Sequence, residues 1–312
     1  MVGKAQLRVL GAVSDEQSLT ALHEQTGYSM SRIHEVVEGL EADGLVVTRH
    51  GDRNRRLVSP VETTVYTTYR RLQVQHPHID FPALLSHRTL HVCWFLDQPR
   101  TVREITDRLP ITRQRVYQLL KPLRERAIIT KDGPRFEIAD DLGELVAFAH
   151  AVVEHEHQQR ARTLASSATV LWCTPAEALV AVETEDDRER LVETNRWIVT
   201  GLARFAGYGL QFFSANQPPL FYSELDTELS VEQLVCHTLR TGTDQRRTSY
   251  ALLLVVSAGY DEDRLRTIAA DYDLESIVEE MLSFLQSEAV DSRYIPTERD
   301  FEMLKQQYEV TA

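Results

Sequence analysis

The chain has 312 residues, a length typical of two or three domains, and its 43% hydrophobic and 26% charged content is that of a globular protein. No apolar run reaches the ~18 residues of a membrane span, and the first residues lack the apolar stretch of a signal peptide, so we expect a cytoplasmic protein without membrane contact. The three cysteines, Cys93, Cys173 and Cys236, lie far apart and exclude a disulfide framework or a Cys-x-x-Cys metal site.

The net charge of −13 is unevenly distributed along the chain. Residues 1–140 contain 20 basic and 17 acidic residues, whereas residues 141–312 contain 14 basic and 30 acidic ones. Such asymmetry indicates that the two parts have separate roles. Only four of the 34 basic residues are lysine. This acidic, lysine-poor composition resembles that of haloarchaeal proteins, whose acidic surfaces stay hydrated in concentrated salt, although GC-rich coding also favours arginine.

An internal repeat with an offset of 83 residues covers the first part of the chain. The apolar positions of residues 7–46 recur at 90–129, so that Leu7 falls on Leu90 and Ile33 falls on Val116. The polar positions differ far more than the apolar ones. The pattern predicts two copies of one small fold with different surfaces. We call residues 5–59 the first repeat and residues 87–140 the second repeat.

Each repeat is predicted to contain three helices and a hairpin. In the first repeat we expect helices at about 5–13 and 17–25, the latter capped by Ser14 or Asp15 and ended at Gly27. A third helix begins near Ser29 and ends at Asp43-Gly44. Strands at 45–48 and 57–58 then flank a basic turn at 49–56.

The second repeat follows the same plan with two departures. Thr101 and Thr112 are expected to cap its second and third helices, and strands at 128–130 and 135–138 flank a turn at 131–134. Ala127 stands where the first repeat has Gly44. Pro122 lies inside the third helix, where a missing backbone donor predicts a kink.

This succession of helix, short helix, tight turn, helix and hairpin resembles the winged helix-turn-helix domain. Residues 22–33 are similar to the helix-turn-helix core of many prokaryotic regulators, and residues 40–46 are similar to the exit from the recognition helix into the wing. The resemblance implies that the third helix of each repeat enters the DNA major groove, where its N-terminal turns reach the base edges.

The predicted DNA-binding residues are the exposed positions of each third helix together with the wing cations. In the first repeat they are Tyr28, Ser29, Ser31, Arg32, His34, Arg49, Arg53, Arg55 and Arg56. In the second repeat they are Thr112, Arg113, Gln114, Arg115, Tyr117, Gln118, Lys121, Lys131 and Arg135. Arginine pairs with guanine and glutamine with adenine, and hydroxyls and wing arginines suit phosphates. The alternatives are a solvated structural surface or a protein-interaction module.

Two helical segments connect the domains. Residues 61–86 form a connector whose helix, at 61–74, is broken at His76-Pro77-His78. A long helix follows at 141–164, with an apolar face at heptad-like spacing. This face is either a dimer seam or a surface that packs on its own chain, and its length of under two heptads favours the latter. His150, Glu154 and His157 share that helix, but without nearby cysteines we expect no metal site there.

Residues 165–312 are predicted to form an acidic α/β domain. We expect strands at 169–173, 178–182, 211–213, 220–222 and 250–256, and helices at 186–207, 231–239, 261–272, 274–287 and 297–308. No phosphate loop, nucleophile elbow or metalloprotease motif is present, so neither an enzyme nor a cofactor is expected.

Two features of this domain suggest a binding role. Basic residues gather around Asp244, namely His237, Arg240, Arg246 and Arg247. They would bind an anionic ligand or a partner, or hold a capped loop by ion pairs, and the loop is the favoured interpretation. Residues 200–210 distantly resemble the C-terminal domain of AbiE-type antitoxins. Those proteins combine a winged helix with an α/β domain, repress their own operon and counter a nucleotidyltransferase toxin.

The sequence as a whole therefore predicts an α+β multi-domain protein. Its parts are a winged helix at 1–60, the connector at 61–86, a second winged helix at 87–140, a connecting helix at 141–164 and the C-terminal domain at 165–312. We expect a transcriptional regulator that binds double-stranded DNA, with a second copy of the chain or another protein as further partners. An antitoxin-like interaction protein and a plasmid or viral replication initiator are the alternatives, and an enzyme acting on nucleic acid is a more distant one.

Overall fold

The computed structural model describes residues 2–51, 55–212, 217–225 and 228–310. Helices dominate this mixed α+β chain, and three small antiparallel sheets accompany them. The chain divides into two compact units, residues 1–159 and residues 160–312. Within the described ranges, every helix is too short or too polar to cross a membrane.

The first repeat consists of three helices and three short strands: α1 (Lys4–Ala12), β1 (Gln17–Ser18), α2 (Leu19–Thr26), α3 (Met30–Ala42), β2 (Val46–His50) and β3 (Arg56–Pro60). The strands pair in the order β1-β3-β2. The predicted cap of α2 at Ser14 or Asp15 is wrong, because residues 17–18 first pair with β3 and Ser18 then caps the helix. Gly27, with φ 72°, ends α2, and Ser29 caps α3, both as predicted.

Two helices, α4 (Thr64–Gln75) and α5 (Phe81–Leu84), lead from the first repeat to the second. The second repeat then contains α6 (His87–Trp94), β4 (Arg100–Thr101), α7 (Val102–Thr106), α8 (Arg113–Glu125), β5 (Ile129–Asp132) and β6 (Arg135–Ile138). Its strands pair in the order β4-β6-β5, the same arrangement as in the first repeat. The two repeats therefore share element order and sheet topology.

The helix caps of the second repeat are confirmed. The Thr101 hydroxyl accepts a hydrogen bond from the Glu104 amide at 3.2 Å, and the Glu104 carboxylate accepts one from the Thr101 amide at 2.6 Å. Thr112 caps α8 by accepting from the Arg115 amide at 3.2 Å. Pro122 does not interrupt α8, which runs on to Glu125. The proline lies near the helix end, where its missing donor leaves one carbonyl of the ladder without its usual partner.

Both repeats leave their third helix through a left-handed residue. Gly44 has φ 69° and Ala127 has φ 55° at the equivalent position. The next amide then bonds back into the helix, from Leu45 to the Leu40 carbonyl at 2.8 Å and from Ile128 to the Leu123 carbonyl at 2.9 Å. The same turn is thus made with glycine in one repeat and with a strained alanine in the other.

The long helix α9 (Gly143–Arg162) is buried along its apolar face within its own chain. Leu145, Ala149 and Val152 are fully buried, and the Phe148 ring stacks on Tyr69 of α4 with centroids 5.0 Å apart. The heptad-like face therefore packs on its own chain, which is the favoured interpretation. The alternative of an open dimer seam along these residues is wrong.

The second unit surrounds a four-stranded antiparallel sheet with helices. Its elements are β7 (Thr169–Cys173), β8 (Glu177–Ala181), α10 (Glu185–Glu193), β9 (Trp197–Val199), a 3₁₀ helix (Gly201–Tyr208), β10 (Leu220–Ser223), α11 (Val231–Arg240), α12 (Gln245–Ala258), α13 (Glu262–Asp271), α14 (Glu275–Leu285) and α15 (Glu298–Gln307). The strand order is β7-β8-β10-β9. The predicted pairing of residues 169–173 with 178–182 is confirmed.

Three predicted elements of this unit are wrong. The expected strand at 250–256 belongs to α12, whose residues 251–255 are all buried, and a short apolar run does not distinguish a buried helix from a buried strand. The expected helix at 186–207 stops at Glu193, because Asn195 turns left-handed with φ 55° and β9 follows. Gln211 and Phe212 lie outside any strand, and residues 213–216 lie outside the described chain.

The left-handed exits yield a stability prediction. We expect Ala127→Gly to raise the free energy of unfolding by up to about 1 kcal/mol, because it removes ~1–2 kcal/mol of Cβ strain at a smaller entropic cost. The matched change Gly44→Ala should lower it by about 1 kcal/mol, since its Cβ would also lie 3.3 Å from the Gln159 amide nitrogen. Denaturant unfolding measures the free energy of unfolding of both variants. Changes of the same sign in the two variants would contradict the explanation.

Candidate nucleic-acid interface

The exposed face of α3 carries most of the predicted DNA-binding residues of the first repeat. Ser29, Ser31, Arg32 and His34 are exposed, and Tyr28 is half-buried. The Arg32 guanidinium, however, lies 2.6 Å from the carboxylate of Glu35, one turn away on the same helix. Glu38 is exposed on α3 as well. This face therefore presents a neutralised arginine among carboxylates and hydroxyls, and it is not a cationic surface.

The hairpin of β2 and β3, which is the predicted first wing, uses two of its arginines to bind its own chain. Arg49 forms a two-pronged ion pair with Glu16, and Arg56 pairs with Glu38 at 3.4 Å and with Glu41 at 2.8 Å. Glu41 also accepts hydrogen bonds from the Thr48 hydroxyl at 2.6 Å and the Thr48 amide at 3.0 Å. These bonds from Thr48, and then the charge of Arg56, hold the pKa of the Glu41 carboxyl below its usual range.

The remaining wing arginines have different positions. Arg55 is exposed and, within the described chain, has no ion-pair partner. It lines a groove between α2, α3 and the wing, together with His34 and Met30. Arg53 lies outside the described residues. Of the four arginines named from the sequence in this hairpin, two thus line the groove, and Arg56 is the one of them that is also paired with carboxylates.

The exposed face of α8 differs from that of α3 because its two N-terminal arginines are not paired with carboxylates of the described chain. Arg113, Gln114, Arg115, Tyr117, Gln118 and Lys121 are all exposed. Arg115 donates to the Gln118 side-chain oxygen at 3.3 Å, and Lys121 lies 3.9 Å from Glu125 at the C-terminal end of the helix. Among the described residues, no carboxylate lies within ion-pair distance of Arg113 or Arg115. The first two turns of α8 therefore present two unneutralised guanidinium groups and two amides.

The second wing adds a smaller cationic contribution. Lys131 is exposed and its ammonium lies 5.5 Å from the centre of the Phe136 ring. Arg135, next to the hairpin turn, donates to the Pro99 carbonyl at 2.8 Å and lies 3.6 Å from Glu104 of α7, so it fastens the turn end of the hairpin to the start of this segment. Tyr117 of α8 packs edge-on against Phe136. The wing and α8 are thus joined through one aromatic residue.

The basic residues around Asp244 do not form one site. His237 is completely buried, where its two ring nitrogens lie 2.7 Å from the Thr200 hydroxyl and 2.7 Å from the Tyr272 hydroxyl. Burial lowers the pKa of this histidine to about 3, so the ring is neutral at pH 7. Arg240 donates to the Leu171 carbonyl at 2.8 Å. His237 is therefore unavailable to an anionic ligand, and one amino group of Arg240 is taken up by a backbone carbonyl.

Asp244 organises the rest of this cluster as a helix cap. Its carboxylate accepts from the Arg247 amide at 2.8 Å and pairs with the Arg247 guanidinium, while Arg246 donates to the Tyr250 hydroxyl at 3.1 Å. This geometry is that of a capped loop held by an ion pair. Arg247 also lines an open cleft of about 600 Å³, together with Pro219 and Thr241.

A cluster of three side chains that was not predicted from the sequence joins α6 to α9. The Nε2 atoms of His87 and His91 each lie 3.0 Å from the same Glu156 oxygen, Oε2. These are the three side chains, within the part of the chain described, whose ligand atoms converge as a metal-binding group. The His-x-x-x-His spacing in residues 87–91 was a visible signal, whereas the pairing with Glu156 depends on tertiary packing. His150 instead lies 3.1 Å from the Trp94 carbonyl.

Comparison with known families gives a match in the second unit. Residues 194–310 match a family model described as HVO_2833_C, C-terminal, a domain named after a haloarchaeal protein. The matched segment begins at the end of α10 and includes α11 to α15. No curated protein matches the chain.

The buried histidine yields a pH prediction. His237 binds a proton in the unfolded chain below its ordinary pKa of about 6.5 but stays neutral in the folded chain down to about pH 3. Stability should therefore fall as the pH drops from 6.5 towards 3, by about 1.4 kcal/mol per pH unit from this group. Denaturant unfolding measures the free energy of unfolding at pH 6.5 and at pH 4.5. The decrease between the two pH values should be smaller in His237→Gln than in the wild type by about 2–3 kcal/mol. Replacing the exposed His34 by Gln is the control, and equal losses in the wild type and His237→Gln would contradict the assignment.

Proposed function

We propose that the protein is a DNA-binding transcriptional regulator whose first unit reads double-stranded DNA with two winged-helix repeats. The observation that carries this proposal is the open cationic face of α8, with Arg113 and Arg115 unneutralised in the first turns of a capped helix. The shared element order and the shared sheet order of the two repeats support it, since a third helix followed by a hairpin is the arrangement of a recognition helix and its wing.

In this proposal α8 is the principal reading helix. The guanidinium groups of Arg113 and Arg115 are suited to bidentate contacts with guanine, and the amides of Gln114 and Gln118 are suited to adenine. The N-terminal end of α8 and the nearby Lys131 would bind the phosphate backbone. Helix α8 and the neighbouring strand β5 together would thus offer both base-edge and backbone contacts.

The first repeat would have a supporting role. Its Arg32 occupies the position equivalent to Arg115 but is paired with Glu35, and its wing arginines Arg49 and Arg56 are paired with carboxylates of the same repeat. Breaking these pairs on DNA would cost part of the binding free energy. Arg55 and His34, which face the open groove, remain as its candidate contacts.

The second unit would serve assembly, sensing or partner binding. Its strongly acidic composition repels DNA, and the cluster around Asp244 is occupied by contacts within the chain. The similarity of residues 194–310 to a domain named after a haloarchaeal protein agrees with the lysine-poor composition. We propose accordingly that the regulator works in a salt-rich cytoplasm.

The equivalent arginines provide the test. After binding sites are selected from sheared genomic DNA, we expect Arg115→Ala to weaken specific binding by about 10-fold or more, the effect of losing one bidentate base contact. Arg32→Ala, the matched change in the first repeat, should have a smaller effect because that guanidinium is already neutralised. Fluorescence anisotropy at several salt concentrations measures both affinities and the salt dependence.

Two outcomes would contradict the proposed function. One is the absence of DNA binding by the wild-type chain at every salt concentration tested. The other is binding that Arg113→Ala and Arg115→Ala leave unchanged, because the surface that carries the proposal would then be irrelevant. A larger loss for Arg32→Ala than for Arg115→Ala would reverse the assignment of the principal reading helix.

A further inference from the structure

We propose that His87, His91 and Glu156 form a binding site for a divalent transition-metal ion of the zinc class. The two histidines lie one helical turn apart on α6, at the i, i+4 spacing that places both rings on one helix face. Glu156 reaches the same point from α9. The site therefore joins two elements that are 65 residues or more apart in the sequence.

The distances between the candidate ligand atoms fit such an ion. Both imidazole Nε2 atoms lie 3.0 Å from Glu156 Oε2, and the ligand atoms of the three residues all lie within 4.8 Å of one another. Tetrahedral zinc with bonds of 2.0–2.1 Å separates its ligand atoms by about 3.4 Å. Small rotations of the three side chains would therefore open the space that an ion needs.

Two buried atoms of the cluster have no partner within the described chain. These atoms are Glu156 Oε1 and His91 Nδ1, both inaccessible to solvent. A carboxylate oxygen without a hydrogen bond in a buried position is costly unless a cation or a proton donor satisfies it. Rotation of the carboxylate onto a bound ion would satisfy this charge, which points to a ligand at this place.

The donor set selects the class of ion. Two imidazole nitrogens and one carboxylate favour zinc and its transition-metal neighbours, whereas calcium and magnesium prefer oxygen ligands alone. Three protein ligands would leave a fourth position for water or another ligand. Among the residues that the structure describes, none gives His91 Nδ1 the outer hydrogen bond that usually supports a ligating histidine, so we expect a moderate affinity.

The test uses the full-length chain after treatment with a chelator. Calorimetric titration with Zn²⁺ should show one ion bound per chain, and Co²⁺ should give the visible absorption of a low-coordinate site. Zn²⁺ should also raise the melting temperature, because an ion that binds only the folded state stabilises it. Absence of Zn²⁺ binding by the wild-type chain would overturn the proposal without recourse to any variant.

Matched variants assign the binding to these residues. His87→Gln and Glu156→Gln should each weaken Zn²⁺ binding by more than the 10–100-fold that the loss of an outer contact costs, and should abolish the increase in melting temperature. His150→Gln and His155→Gln, which change histidines of α9 outside the cluster, should leave the affinity unchanged. Circular dichroism verifies that each variant is folded. Wild-type affinity in folded His87→Gln and Glu156→Gln would overturn the assignment.

Discussion

Helix α9 constrains the first unit because it contacts both repeats through neighbouring residues. His155 lies 2.6 Å from the carbonyl of Asp43, the residue that ends α3, while Glu156 is bonded to both histidines of α6. Phe148, two turns earlier, stacks on Tyr69 of the connecting helix α4. The orientation of each repeat is therefore fixed against one shared helix, and the candidate reading helices α3 and α8 are not independent. Disturbing α9 would affect both of them at once.

Much of the first unit could be predicted from sequence because the signals are local. Apolar spacing located α3 and α8, and Ser29, Thr101 and Thr112 marked helix starts through bonds that span three residues. Which arginines form ion pairs could not be predicted from such local signals. The carboxylates that neutralise Arg49 and Arg56 lie 15 to 33 residues away, and only the folded hairpin brings them together. The His87–Glu156 contact, across 69 residues, is a tertiary feature of the same kind.

The second unit was harder to predict from the sequence, because the wrong predictions fall on segments whose local sequence fits two different structures. A run such as Leu252–Val255 is apolar on all sides, and a helix buried on every face has the same pattern as a strand buried on both faces. The polar cap Asp244, eight residues before Leu252, was the available signal for the helix. At Asn195 the left-handed turn depends on a residue that helices also tolerate, so composition did not reveal the break.

The contrast between the two repeats has a consequence for the proposed DNA recognition in concentrated salt. Salt screens the exposed pair Arg32–Glu35 and so releases its guanidinium, but the same screening weakens the attraction of that cation for phosphate. A repeat whose arginines are paired at low salt therefore gains little as salt rises. Hydrogen bonds from Arg113, Arg115 and the neighbouring amides to neutral base edges depend less on long-range charge. If the proposed function is right, the open polar face on α8 would thus keep its selectivity over the widest range of salt, and the near balance of charge in residues 1–140 suits that use.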